Sequence, residues 1–343
     1  MFLFIFSSIF LAFPIQALGL TDDSTPSQDC PAMQYRDITM GMCMPQPMAG
    51  MSMSMLMLQA NGFLTSITEI GPRGRNAIAF PDMFMLDGGH TLGDNNYLNL
   101  ELMGTIERWT FPDQGYPELL QIGEENNQGV PYLDAQHPHS SPIMGLTLSD
   151  TYSFGKEKDH LKIYAGPRGE ATEGPIAFMH RATGVVNPDA PLGHHIGQDV
   201  GHIVSTVIGE SLKIGRTNFE FSTYHGAEPL PQNTNLPLGN LDSYSFRVIE
   251  ELTPEMTMMT SYAYISNPEL DSPDITFENR YSASLFTHFG MGSGWTYDNT
   301  LIWGAVSNLD HASTLTSFAE EFLFKGEFPR IWGAHRSSTT NAK

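Results

Sequence analysis

The feature that most limits the fold of this chain is an alternation of apolar and polar residues with a period of two. The clearest runs are residues 98–102, 146–149, 161–165, 218–222 and 281–285. This period is typical of β-strands with two different faces, and helical periodicity is nearly absent. Turn signals such as Gly93-Asp94-Asn95 and Gly292-Ser293-Gly294 separate the runs. The pattern therefore predicts an all-β protein.

The lengths of the alternating runs favour an antiparallel β-barrel of the outer-membrane type. We expect about ten to twelve strands of roughly ten residues each, the length that a tilted membrane-spanning strand needs. A barrel pairs every backbone polar group within the sheet, as a bilayer requires. A soluble β-sandwich or propeller shows the same alternation. The export signal and the polar second faces of the strands favour the barrel, and the lack of a fixed repeat disfavours a propeller.

The start of the chain predicts export. Residues 1–14 are almost entirely apolar, and Ala17-Leu18-Gly19 supplies a small-residue cleavage site, so we interpret residues 1–19 as a signal peptide. Residues 20–58 then form a Met-rich leader, and residues 59–343 form the barrel, with a long His-rich loop at 167–202. We expect the outer membrane of a Gram-negative bacterium, with the periplasm as the alternative.

The formal charge of −21 limits the partners. An acidic surface disfavours nucleic acid, so the expected partners are outer-membrane lipid and a metal ion. The sequence holds no Gly-x-Ser-x-Gly elbow, no phosphate-binding glycine loop and no His-Glu-x-x-His motif. We therefore predict a protein that is not an enzyme.

The leader is rich in methionine, which suggests copper. Nine methionines lie between positions 33 and 57, interleaved mainly with Gly, Pro, Ser and Ala. Thioether sulfur is a soft ligand that selects Cu(I) over hard ions. The alternative is that the methionines are packing or linker residues, and the alternation at 51–57 is also that of a first strand. The predicted copper ligands are Met40, Met42, Met44, Met48 and Met51.

The two cysteines, Cys30 and Cys43, both lie in this leader. In an exported protein such a pair is expected to form a disulfide. The alternative is that both thiolates join the methionines around Cu(I).

Histidines form a second candidate metal site. The candidate ligands are His137, His139, His194, His195, Asp199 and His202. Imidazole suits Cu, Zn, Ni and Fe, and Asp134, Glu170, Glu173 and Asp189 could fix the ring tautomers. The alternative is structural, because histidines also hold polar loops in place by hydrogen bonds. A metal hydrolase with Glu170 or Glu173 as the base is conceivable, but the spacing does not compel it.

Several blocks resemble those of an uncharacterised group of exported bacterial proteins. The blocks are residues 71–74, 116–123, 134–140, 178–182, 187–195, 198–202 and 241–244. The resemblance implies an outer-membrane β-barrel-like protein of unassigned role. Members of that group continue past the position of Trp332, so it also implies a barrel that is incomplete at its C-terminus. The Met-rich leader followed by a barrel resembles the architecture of copper resistance protein B.

Three functions remain open from the sequence. The leading hypothesis is an outer-membrane protein that binds or sequesters copper through Met and His residues. The first alternative is a channel or structural barrel for a small solute, without a metal role. The second alternative is a metal-dependent periplasmic enzyme.

Overall fold

The structure is a computed structural model that describes most of the chain. The described residues are 13–14, 34–45, 52–125, 130–139, 141–154, 159–187, 201–228, 233–236, 238–268, 273–308, 313–326 and 330–341.

The described residues form nineteen strands and one short helix. The strands are β1 (Phe13–Pro14), β2 (Gln34–Asp37), β3 (Met42–Pro45), β4 (Ser54–Thr68), β5 (Asn76–Ala79), β6 (Asp82–Leu92), β7 (Asn96–Gly104), β8 (Tyr116–Glu125), β9 (Pro131–Gln136), β10 (Ile143–Ser153), β11 (His160–Gly169), β12 (Val204–Ile214), β13 (Thr217–His225), β14 (Ser243–Thr253), β15 (Met256–Ser266), β16 (Phe277–Gly292), β17 (Trp295–Asn308), β18 (Ser313–Lys325) and β19 (Arg330–Asn341). The helix is α1 (Glu107–Thr110). None of the described helical residues belongs to a helix long and apolar enough to cross a membrane.

Thirteen strands form one antiparallel meander in the order β4, β6, β7, β10 and then β11 to β19. This count slightly exceeds the expected ten to twelve. Strands β1 and β5 pair with β4, while β2–β3 and β8–β9 form separate hairpins. Over the described residues, β4 and β19 do not pair with each other, so the sheet is not closed.

The two faces of the sheet have opposite polarity. On β13 and β14, the outward side chains Phe219, Phe221 and Phe246 are 40–44% exposed. The residues between them turn inward, and Ser222 and Ser245 are fully buried. On these strands the exposed face is therefore apolar and the buried face polar, which reverses the pattern of a soluble sandwich and fits a sheet with lipid outside. We call the inward side of the sheet the lumenal face.

Aromatic rings form a row at each end of this outward face. At one end Tyr264 stacks on Tyr244 with ring centroids 5.5 Å apart, and Tyr262 meets Tyr281 at 5.3 Å. At the other end Tyr297 meets Phe324 at 4.7 Å. Paired aromatic girdles mark the two interfaces of an outer-membrane barrel.

The predicted outer-membrane-type architecture is therefore confirmed. The apolar outward face is a lipid-facing surface, and the protein belongs in the outer membrane of a Gram-negative bacterium.

The connections between strands differ at the two ends. Short turns join β6 to β7, β12 to β13, β14 to β15 and β16 to β17. At the opposite end the chain between β7 and β10 holds α1, β8 and β9, and the long segment between β11 and β12 starts there as well. Outer-membrane barrels have short periplasmic turns and longer extracellular loops. The end with the long connections therefore corresponds to the extracellular side.

Two boundaries differ from those expected. Strand β4 begins at Ser54, so the first strand takes in the last methionines of the leader, as the alternation at 51–57 allows. In β4 Met55 and Met57 are half-buried, while Leu56 and Leu58 are exposed. The His-rich loop begins at residue 170 and not at 167, because β11 continues to Gly169.

Candidate functional site

Residues 170–187, which follow β11, fold against the lumenal face of the sheet, and we call them the plug. The Thr172 hydroxyl lies 3.0 Å from each of the Ser222 and Ser245 hydroxyls. The amide of Gly174 donates to the Ser261 hydroxyl at 2.9 Å. Inward serines on β13, β14 and β15 therefore serve as anchors for the plug backbone and side chains.

A buried ion pair fixes the plug to β18. The guanidinium of Arg181 donates to both carboxylate oxygens of Glu321, at 2.9 and 2.7 Å, and the two side chains are 2% and 3% exposed. Thr183 donates to Glu321 at 2.8 Å and contacts the Thr300 hydroxyl at 2.8 Å. Because a buried charge is costly without a partner, this pairing specifies where the plug lies.

A second ion pair holds the plug to β16. Arg280 donates to Glu173 at 3.1 Å, and the Tyr224 hydroxyl donates to the same carboxylate at 3.2 Å. On β14, Arg247 binds Glu220 at 2.6 Å and donates to the plug carbonyl of Pro175 at 3.3 Å. The plug thus has polar contacts with every strand from β13 to β18.

A third pair, His180 with Glu170, lies within the plug at 2.9 Å. Burial alone would lower the pKa of His180, but the charge of Glu170, with Glu101 and Asp87, raises the pKa above its ordinary value. Burial would raise the pKa of Glu170, but His180 and nearby cations lower it. Both pKa shifts therefore favour an imidazolium beside a carboxylate.

The apolar side of the plug packs on a cluster of methionines. Its buried members are Met83 and Met85 of β6, Met103 of β7, Met144 of β10 and Met179 of the plug, with Ala177 and Phe178 among them. We call these five methionines the methionine cluster. The sequence pattern does not single it out, because its members come from separate segments and each resembles an ordinary strand residue.

The leader hairpin touches the plug. The Ala182 amide donates to the carbonyl of Thr39 at 2.8 Å, in the turn between β2 and β3. Gly41 has φ +68°, and a Cβ there would lie 2.8 Å from the Cβ of Ala182. Only glycine suits this contact, because it accepts the left-handed conformation and leaves room for the plug.

The hairpin also places some of the predicted copper ligands. Met40 lies in its turn, and Met42 and Met44 lie in β3. Met48 and Met51 lie outside the described residues. So does Cys30, so the disulfide with Cys43 of β3 stays a prediction.

Two of the predicted histidines come together. Nε2 of His139 lies 3.1 Å from Nε2 of His202, and the rings meet edge to face. On its other side, Nδ1 of His139 lies 2.5 Å from Oε2 of Glu107 in α1. Phe178 of the plug packs against His202 with ring centroids 5.5 Å apart. The site therefore joins the long connection between β7 and β10, the plug and the chain just before β12.

The other predicted ligands do not join this pair in the described part of the chain. Nε2 of His137 is 3.9 Å from Glu228, and burial lowers the pKa of His137 to about 4, so its ring is neutral at pH 7. His194, His195 and Asp199 lie outside the described residues. Among the residues that are described, no three His, Cys, Asp or Glu side chains form a metal-binding group.

Of the four carboxylates expected to support the histidines, two bind arginine, one supports a histidine and one is not described. Asp134 binds Arg73 at 2.6 and 2.7 Å. Glu173 binds Arg280, whereas Glu170 supports His180, which was not among the predicted ligands. Asp189 lies outside the described residues. Glu107 supports His139, and nothing in the sequence marks it, because it sits in a helix of one turn 32 positions away.

A cleft opens beside His139. It is small, and its lining includes His139, Glu107, Met83, Met144 and Phe178. The cleft therefore joins an imidazole, a carboxylate and thioethers. Its polar edge comes from the long connections, and its apolar floor comes from the methionine cluster.

Comparisons with known proteins give distant structural similarity only. No family model matches the chain, and no curated protein matches it. The chain is similar to OmpT, an outer membrane protein of Vibrio cholerae in its trimer form, with 8% identity, a TM-score of 0.38 and coverage of 84% of this chain and 90% of that one. It is also similar to a mutant Rh. blastica porin, with 8% identity, a TM-score of 0.27 and coverage of 84% and 88%. OpdQ of Pseudomonas aeruginosa shows 8% identity, a TM-score of 0.29 and coverage of 83% and 86%.

Proposed function

We propose that this outer-membrane barrel protein is a channel for small polar solutes, and that the plug narrows its passage. One observation carries the proposal: the plug has polar contacts with each of the strands from β13 to β18 on the lumenal face. A segment needed only to cover the end of a barrel would not require buried ion pairs with its wall.

The charges of the chain favour cations as solutes. The formal charge is −21, and a low-dielectric passage between acidic groups concentrates counter-ions. Near the plug, Asp87 of β6 and Glu101 of β7 act on His180 from one side of the wall. Solutes that pass on this side meet acidic groups.

Conductance of the mature chain in planar lipid bilayers tests the channel. We expect small, cation-preferring steps from the natural chain and larger steps from Arg181→Ala, which loses the tie to Glu321. Arg216→Ala is the matched control, since Arg216 is exposed in the turn between β12 and β13. The proposal fails if folded natural and Arg181→Ala proteins both leave the bilayer without conductance.

Copper binding by the leader is a second candidate function. It is favoured by the hairpin, which holds Met40 and Met44 in one compact element against the plug. Since β4 begins at Ser54, deletion of residues 33–57 would also cut into the first strand of the meander. Replacing Met40, Met42, Met44 and Met48 by Leu removes sulfur and keeps size. We expect fewer Cu(I) ions per chain, and an unchanged stoichiometry would contradict the role of the leader.

A further inference from the structure

We propose that His139 and His202 bind one Cu(I) ion, with a thioether of the methionine cluster as a further ligand. This site is distinct from the leader methionines and does not depend on the channel proposal. It would sit where the connection between β7 and β10, the plug and the chain entering β12 meet.

The distance between the two rings suits a shared metal. Two nitrogens that are each about 2.0–2.1 Å from one ion lie roughly 2.9 Å apart at a right angle and roughly 3.3 Å apart at a tetrahedral angle. The Nε2 atoms of His139 and His202 are 3.1 Å apart. The spacing of the two nitrogens therefore matches that of two ligands of one ion.

Glu107 prepares His139 for this role. Its carboxylate accepts the Nδ1 proton of His139, which leaves a lone pair on Nε2 facing His202. A carboxylate behind a ligating histidine is a common support of metal sites, because it fixes the tautomer and raises ligand basicity. Glu107 is 3% exposed, so water screens this contact little.

The proton between the rings has a defined destination. The two Nε2 atoms are 3.1 Å apart. Because Nε2 of His139 is the acceptor, Nε2 of His202 donates the hydrogen bond between the rings. When the ion binds, that proton moves from Nε2 to Nδ1 of His202, and the ring stays neutral. No oxidant or reductant takes part, since the ion is bound as Cu(I).

The methionine cluster selects the ion. Met144 lines the same cleft as His139, and Ile203, the neighbour of His202, packs on the cluster. Thioethers are soft ligands that favour Cu(I), whereas Zn²⁺ in proteins takes thiolate, imidazole or carboxylate. The pair of imidazoles beside thioether sulfur therefore indicates Cu(I) rather than Zn²⁺.

The test is anaerobic titration of the full mature chain with Cu(I), in competition with a chromophoric Cu(I) chelator. We expect His139→Ala and His202→Ala each to bind one ion fewer than the natural chain. Met144→Leu, which keeps size but removes sulfur, and Glu107→Gln should weaken this ion about 10–100-fold. His225→Ala is the matched control, because His225 contacts the carboxylate of Asp242 at 2.9 Å and lies outside the cleft.

X-ray absorption of the Cu(I)-loaded chain gives a second measurement. We expect nitrogen and sulfur scatterers in the natural chain, and loss of the nitrogen component in the variant with both histidines replaced by Ala. Gel mobility of unheated samples shows which variants are folded. Equal stoichiometry in the natural chain and a folded His139→Ala variant overturns the proposal. So does a preference of these residues for Zn²⁺ over Cu(I).

Discussion

Arg181 of the plug and Glu321 of β18 form a buried, two-point ion pair, although 140 positions of sequence separate them. Two hydrogen bonds to one carboxylate fix the side chain of Arg181 against β18. The pair fixes the second half of the plug, and Glu173 with Arg280 fixes its start.

Arg181→Ala should lower the free energy of unfolding by about 3–5 kcal/mol, because Glu321 keeps a buried charge without its cation. Urea unfolding in lipid vesicles measures the change. The double variant Arg181→Met with Glu321→Leu removes both charges, and it should be clearly more stable than the single variant. A double variant as unstable as the single one would contradict the electrostatic explanation.

The plug should dock most firmly in mildly acidic conditions. His180 has a raised pKa, so its contribution is complete below the ordinary value of 6.5 and is lost as the pH rises through the raised pKa. Glu170 has a lowered pKa, so its contribution is complete above the ordinary value of 4.5 and is lost as the pH falls through the lowered pKa. The pair therefore contributes fully between these two values.

Hydrogen exchange of residues 170–187 measures this dependence. Protection should be highest near pH 5.5 and lower at about pH 9, after correction for the intrinsic exchange rate. Glu170→Gln should flatten the profile, because His180 then lacks its carboxylate. A flat profile in the natural chain would contradict the role of the pair.

Gly41→Ala should detach the leader hairpin from the plug. The new Cβ would meet Ala182 at 2.8 Å, and φ is +68°. Gly93→Ala is a matched control: its φ is +65°, but nothing lies within 4 Å of the new Cβ. Both variants carry the left-handed penalty of about 1–2 kcal/mol. Only Gly41→Ala should speed exchange of the Ala182 amide, and equal rates in both variants would refute the contact.

A charge on the outward face of β14 should destabilise the protein according to its depth. Val248 lies midway along the strand, in register with Phe219, whereas Leu252 lies near its end. Val248→Arg should cost about 2–4 kcal/mol in a bilayer, and Leu252→Arg about 0–1 kcal/mol. Unfolding from vesicles measures both. Equal costs would show that this face does not meet lipid.

The fold was predictable because strand alternation is local information. Residues 218–222 show which side of β13 is apolar, and the structure places that side outward. The position of the plug was not predictable, because it depends on pairs such as Arg181 with Glu321 that no spacing reveals. The alternation of apolar and polar residues does stop at residues 167–202, which shows that this segment is longer than a turn between strands.

The candidate site was predictable in part. Clustered histidines point to His139 and His202, yet the spacing also includes His137, which contacts a different element. Glu107 and Met144 join the site only through the path of the chain, since β7, α1 and β10 bring them there. Contacts of this kind are set by tertiary structure, and a single sequence carries no local signal for them.

The contacts of the plug give it a mechanical role. The plug packs on β6, β7 and β10 through methionines and is bonded to β18 through Arg181. It therefore acts as an internal tie between distant parts of the wall, and its release would break the link between β18 and the strands that carry the methionines.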